Sequence, residues 1–324
     1  MQARAVTLVG PGRVELQPLE LAAPAAGEAL VRVEASGLSA GTERLVFLGR
    51  LEGDEPLDTS LAGLDGALRY PLRYGYCAVG VVERVGPGTD AQWVGRRVFA
   101  FAPHQSQVVV PVSALVALPA GVSAEAATML ANVETAVSLV MDGAPLLGEV
   151  SGVVGLGVVG QLVASILGRV ALGPVLAVDP RADRREALAP GIEQLESPRR
   201  DACDVVFEVS GKHAGLASAL ELTRADGRVI VGSWYGAEAQ PLALGTRIHR
   251  ARQTVRFSQV SRLDASLTGR FDKARRIAIA VDWLEKLAVE RLVTHRLPAE
   301  RAPEAFELLV APPARCLQIV LRWP

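Results

Sequence analysis

The spacing of hydrophobic positions changes twice along this chain. Up to about Pro119, apolar and polar residues alternate in short runs cut by Gly and Pro, most clearly at 29–35, 79–85 and 108–112. A period of two belongs to half-buried strands, so this part is predicted to be a β-rich domain. Residues 48–73 mix Gly, Asp, Pro and Leu and read as a long surface excursion of the kind that shapes substrate sites. From Ser123, an N-cap residue type, the period becomes helical over 124–141. Apolar runs at 150–154, 175–178, 204–209, 228–231 and 254–258 then alternate with helical segments, which predicts a parallel sheet with helices on both faces. A charged amphipathic helix over 271–289, a strand over 293–298, a helix around 302–310 and a strand over 317–321 close the pattern.

A chain of 324 residues can form two domains, each with its own core. Half of it is hydrophobic and the formal net charge is −1, so nothing suggests a nucleic-acid or anionic-membrane partner, and a small-molecule substrate is expected. The uncharged run 150–168 is nearly long enough to span a bilayer. Its glycines at turn spacing, with Gln161 and Ser165 behind them, fit a buried strand and helix instead. The start, Met1-Gln2-Ala3-Arg4-Ala5-Val6, lacks a signal peptide's apolar core, and a cytoplasmic location is expected. Cys77, Cys203 and Cys316 are widely spaced and odd in number, against a disulfide framework or a four-cysteine zinc lobe.

The clearest chemistry lies where the first strand of the parallel sheet meets its helix, at Gly155-Leu156-Gly157-Val158-Val159-Gly160. This G-x-G-x-x-G turn sits between strand and helix, and Asp179 ends the next strand about 20 residues on, where a dinucleotide site places an acid for the ribose hydroxyls. Gly155 makes the tight turn, Gly157 lets backbone approach a pyrophosphate, and Gly160 lets helix and strand pack closely. The phosphates are expected at the helix N-terminus. Asp179 favours NAD, while Arg181, Arg184 and Arg185 leave NADP open, because an arginine there can take the 2′-phosphate. Ser210 and Gly211, and Ser233 and Trp234, end the fourth and fifth strand regions and are expected to flank the ribose and nicotinamide.

With Ser36-Gly37-Leu38-Ser39-Ala40-Gly41-Thr42-Glu43, Gly75-Tyr76-Cys77-Ala78-Val79-Gly80, Gly95-Arg96-Arg97-Val98 and Thr294-His295-Arg296-Leu297-Pro298, nearly the whole chain resembles the medium-chain dehydrogenase/reductase superfamily. The resemblance implies an α/β protein with a GroES-like β-rich catalytic domain (1–121 and 286–324) and a Rossmann cofactor domain of doubly wound parallel sheet (122–285). It also implies a homodimer paired through the edge strand at 254–258. Before about residue 85 the chain is similar to the bacteriochlorophyllide a dehydrogenase branch, whose members oxidise a secondary alcohol on a tetrapyrrole side chain. Zinc-dependent members carry C-G-T-D and G-H-E motifs. Here Ser39 or Ala40 stands for the first motif's Cys, Tyr76 for the second motif's His and Cys77 for its Glu, so no zinc is expected. Cys77, His104 and Glu134 are the one set that could rebuild a metal site.

Hydride transfer without a metal needs hydrogen-bond donors aimed at the substrate oxygen. Thr42 matches the superfamily's relay hydroxyl, Tyr76 stands at the lost zinc-histidine position, His104 is suited to proton transfer near neutral pH, and Glu134 interrupts an apolar helix. Thr42 could equally serve a turn, Tyr76 fill the vacated metal site, and Glu134 pair with an arginine. The expected activity is zinc-independent, NAD-preferring interconversion of a secondary alcohol and a ketone. The alternatives are an NADPH-dependent enone or quinone reductase, and a dinucleotide-binding sensor without turnover.

Overall fold

The computed structural model describes residues 1–51, 69–236, 239, 241–245 and 247–324. Most of the excursion expected over 48–73 lies outside the described residues. The chain divides into two units, 1–131 with 288–324, and 132–287. Among the described residues no helix is long and apolar enough to cross a membrane.

The first unit opens with an antiparallel hairpin, β1 (Gln2–Gly10) and β2 (Arg13–Glu20). Then follow β3 (Glu28–Leu38), the short helix α1 (Thr42–Phe47), β4 (Ala78–Val85), β5 (Arg97–Ala100), β6 (Gln107–Pro111), β7 (Val116–Ala117) and α2 (Ala124–Ala127). The helix expected over 124–141 is two pieces, meeting at Thr128, whose hydroxyl donates to the Glu125 carbonyl at 2.6 Å. Glu125 accepts hydrogen bonds from Arg296 at 2.5 Å and Arg322 at 2.6 Å, both of the first unit. α2 lies with both arginines in the first unit.

The second unit holds most of α3 (Leu130–Gly143), then β8 (Ser151–Val154), α4 (Val158–Val170), β9 (Val175–Val178), α5 (Ala182–Glu186), β10 (Glu193–Leu195), β11 (Cys203–Glu208), α6 (His213–Leu222), β12 (Thr223–Val231), α7 (Arg247–Arg250), β13 (Thr254–Phe257) and α8 (Lys273–Lys286). The sheet is wholly parallel, in the order β10-β9-β8-β11-β12-β13, so the chain reverses its winding beside β8. That switch point is where such sheets bind ligands, at their carboxyl edge. All four residues of β8 and of β9 are buried, as strands covered on both faces must be.

The return to the first unit supplies β14 (Val293–Pro298), α9 (Ala302–Val310) and β15 (Gln318–Arg322). β15 pairs antiparallel with β3, which also pairs with β4 and β6 and so lies at the sheet's centre. From α9, Phe306 packs on Phe47 with ring centroids 5.4 Å apart.

Arg276, on α8, is 1% exposed and binds what lies around it. Its guanidinium donates to Glu134 Oε1 at 3.1 and 2.9 Å, to the Ser138 hydroxyl at 2.9 Å and to the Val260 carbonyl at 2.5 Å. The network joins α3 and α8 to the segment after β13. Arg276→Leu leaves the Glu134 carboxylate buried without its cation and is expected to cost about 3–5 kcal/mol in urea unfolding. Replacing both residues by leucine should recover part of that loss; a cost below about 1 kcal/mol for the single change would show that the pair does not hold these elements together.

Candidate active site

In the second unit β8 enters its turn at Gly155, whose φ of +92° suits glycine; an added Cβ would stand 2.4 Å from the Ser210 Cα. A Cβ on Gly160 would lie 1.9 Å from the Gly155 carbonyl oxygen. Both glycines are therefore fixed by protein packing. Gly157 is different: a Cβ there would meet no protein atom within 4 Å. It stands at the start of α4, which no side chain caps, and whose first N–H groups, Val158 and Val159 among them, have no intrahelical partner. An open glycine beside free N–H groups fits a pyrophosphate.

Asp179, half-buried after β9, is fixed from two sides. The Leu156 N–H donates to Oδ2 at 2.8 Å and the Arg181 N–H to Oδ1 at 2.9 Å. Each oxygen keeps a lone pair for a ribose hydroxyl. Leu156 thus acts through Asp179, with its own side chain fully buried. Among the nearby arginines, Arg181 grips Asp183 at 2.7 and 3.0 Å, and Arg185 donates to the Asp179 carbonyl at 2.6 Å. Arg184 accepts the Gln161 amide at its backbone carbonyl, 2.7 Å away.

At the carboxyl edge of β11 and β12, the Ser233 hydroxyl accepts the Gly211 N–H at 2.8 Å, joining the two loops. Beneath them is Glu208, which the sequence pattern does not single out because it ends an apolar run. It is 0% exposed and accepts the Ser210 N–H at 2.9 Å and the Tyr235 hydroxyl at 2.5 Å. Burial, and next the Glu208 charge, push the Tyr235 phenol well up, so Tyr235 remains a donor. Its ring stacks on His213 at 4.7 Å. Trp234, by contrast, is 46% exposed.

In the first unit four segments bring polar side chains together. The turn after β3 carries Ser39, α1 carries Thr42 and Glu43, the segment entering β4 carries Tyr76 and Cys77, and the loop from β5 to β6 carries His104. β3 and β4 set the register, with Ser36 opposite Ala78 and the Gly37 N–H donating to the Cys77 carbonyl at 2.9 Å. The His104 carbonyl accepts the Val6 N–H at 2.9 Å. Glu43 is the hub: its Oε1 accepts the Ser39 N–H at 3.0 Å and its Oε2 meets His104 Nε2 at 2.8 Å, with both side chains at zero exposure. The half-buried Tyr76 phenol is hydrogen-bonded by the Ser39 and Thr42 hydroxyls. Burial, then Cys77 and Glu43, hold it well above its ordinary range despite those two bonds. Burial, then Glu43, do the same to the Cys77 thiol.

Thr42 and Tyr76, singled out from the sequence, therefore meet in one cluster. His104 joins it behind Glu43, at zero exposure. Glu134 is instead paired with Arg276 in the second unit. Glu43 was legible only as part of a motif.

A catalytic zinc needs three protein ligands and an open position. Among the described residues the candidate set does not fit one: His104 Nε2 is occupied by Glu43 and Glu134 by Arg276. Among the described residues no group of three His, Cys, Asp or Glu side chains could hold a metal ion.

No family model matches the chain. Over its full length it is 26% identical to the 2-desacetyl-2-hydroxyethyl bacteriochlorophyllide A dehydrogenase of Cereibacter sphaeroides, and the match covers 99% of that protein. Among solved structures it is similar to an alcohol dehydrogenase from Escherichia coli complexed with NADH, with a TM-score of 0.78, 18% identity and 99% of each chain covered. It is also similar to a putative zinc-binding dehydrogenase from Sinorhizobium meliloti bound to NADP, with a TM-score of 0.77, 17% identity and 99% of each chain covered. These likenesses bear out the expected fold, a β-rich domain joined to a Rossmann domain.

The glycine turn yields a contrast between two single-methyl changes. Gly157→Ala should leave the thermal midpoint unchanged and weaken NADH binding at least about tenfold, or some 1.4 kcal/mol, because its methyl enters space only a ligand would use. Gly160→Ala should lower the midpoint as well, because its methyl strikes the Gly155 carbonyl. Equal NADH affinity in wild type and Gly157→Ala, by fluorescence titration, would refute the pyrophosphate assignment.

Proposed function

We propose that the chain, 26% identical over its full length to a bacteriochlorophyllide A dehydrogenase, is a medium-chain dehydrogenase/reductase that interconverts a secondary alcohol and a ketone without zinc, preferring NAD. The observation that carries the reading is the Tyr76 phenol, hydrogen-bonded by Ser39 and Thr42 and kept protonated beside a buried carboxylate. A neutral phenol is a hydrogen-bond donor, and a donor is what the substrate oxygen needs as charge gathers on it.

Nicotinamide supplies the hydride acceptor or donor. The chain's own residues do the rest. Gly157 and the start of α4 take the pyrophosphate, Asp179 takes the ribose hydroxyls, and the loops tied by Ser233 and Glu208 flank the far end of the cofactor. Tyr76 donates to the substrate oxygen, with Ser39 and Thr42 behind it to move its proton. The preference for NAD is supported by Asp179, whose charge repels a 2′-phosphate, and by the local pairing of Arg181 and Arg185.

The test begins with fluorescence titration by NADH and NADPH, followed by oxidation of a panel of secondary alcohols that includes a hydroxyethyl tetrapyrrole. Tighter NADH than NADPH binding is expected, with turnover that survives a chelator. Tyr76→Phe should lower kcat about 10²–10³-fold while leaving the NADH Kd unchanged. Tighter NADPH binding with enone or quinone reduction would replace the reading, and NADH binding with background turnover across the panel would favour a sensor.

We further propose that two copies pair through β13. It is the edge strand of its sheet, and Val255 and Phe257 on it are 38% and 66% exposed. Sedimentation velocity should show a dimer for the wild type and a monomer for Phe257→Asp; a monomeric wild type would refute the pairing.

A further inference from the structure

The proposed reaction uses Tyr76, Thr42 and Ser39, yet the first unit spends its most costly burial on two residues behind them. A fully buried carboxylate and a fully buried imidazole, 2.8 Å apart, are kept in a fold only where their hydrogen bonds are made. We propose that Glu43 and His104 form a positioning pair that fixes the Ser39–Thr42 turn, and with it the Tyr76 phenol.

Each atom of the pair has one task. Glu43 Oε1 takes the Ser39 N–H at 3.0 Å and so clamps the turn from below. Oε2 is held by His104 Nε2. His104 Nδ1 is buried and has no partner, which favours the tautomer with hydrogen on Nε2 and a bare lone pair on Nδ1, since an unpaired N–H would cost more. In that form Nε2–H donates to the carboxylate, and the pair keeps Glu43 aimed at Ser39. The imidazole is itself wedged. The Phe306 ring meets it edge-on at 6.3 Å, and a Cβ on Gly75 would stand 2.7 Å from its Cδ2 and Nε2. Gly75 also has φ +123°, a conformation that side chains rarely adopt. The residue before Tyr76 is thus glycine because His104 lies against it, and one imidazole sets both the Ser39 turn, through Glu43, and the backbone that presents Tyr76.

This inference rests on the oxidoreductase reading, and its test has an arm that does not. His104→Leu fills the site but removes the donor, whereas His104→Gln returns an N–H that can reach Glu43. For the full-length protein, hydrogen–deuterium exchange of peptides covering 36–47 should be about tenfold or more faster in His104→Leu and close to wild type in His104→Gln, with exchange in 150–170 unchanged in both. In turnover, His104→Leu should lower kcat about 10²-fold at unchanged NADH Kd, with alcohol KM changing less than kcat, and His104→Gln should recover most of the loss. Unchanged protection of 36–47 in His104→Leu, or equal effects of Leu and Gln on both protection and kcat, would overturn the pairing. If the wild type binds NADH but turns over no alcohol, the functional reading fails while the exchange arm still decides this one.

Discussion

A carboxylate with no access to water must be paid for in hydrogen bonds, and Glu43 imposes that condition on the first unit. Its two oxygens are satisfied by Ser39 N–H and by His104, which draws together a turn after β3 and a loop after β5 that are otherwise held apart by the sheet. Beside them the hydroxyls of Ser39 and Thr42 reach the Tyr76 phenol, and burial, with the Glu43 charge adding to it, keeps both that phenol and the Cys77 thiol protonated. In the proposed reaction, chemistry that a Lewis acid could perform falls to a neutral hydrogen-bond donor with fixed neighbours.

The second unit follows a different constraint, that of space. Gly155 and Gly160 are glycines because the protein leaves them no room, and Gly157 is one where the protein leaves room for something else. The difference separates folding from binding within a single six-residue turn. Glu208 repeats on this side what Glu43 does on the other, as a buried carboxylate that gathers loop donors, here Ser210 and Tyr235, at the carboxyl edge of the sheet.

Much of this was legible in the chain. The apolar runs 150–154, 175–178, 204–209, 228–231 and 254–258 all form strands, and their alternation with helices gives the parallel sheet. β10 was not legible, because Glu193 and Gln194 give a three-residue edge strand no apolar period. Thr42 and Tyr76 could be found from motif positions. The partners that assign roles could not, since they come from far along the chain: His104 lies 61 residues from Glu43, and Arg276 lies 142 from Glu134. Glu43 sits in the short helix Thr42–Phe47 beside Arg44, and Glu134 is a single carboxylate in an apolar helix. One proves to be the hub of a hydroxyl cluster and the other the anchor of a buried arginine, and only tertiary packing separates them.

The central claim is that protein hydrogen bonds around Tyr76, rather than a bound metal, carry the charge that develops on the substrate oxygen. Its most direct test is the single-turnover rate of hydride transfer, measured against zinc content in chelator-dialysed and zinc-reconstituted protein. The account predicts one rate at both metal contents and a large loss in Tyr76→Phe; a rate that rises in proportion to bound zinc, with Tyr76→Phe unaffected, would contradict it.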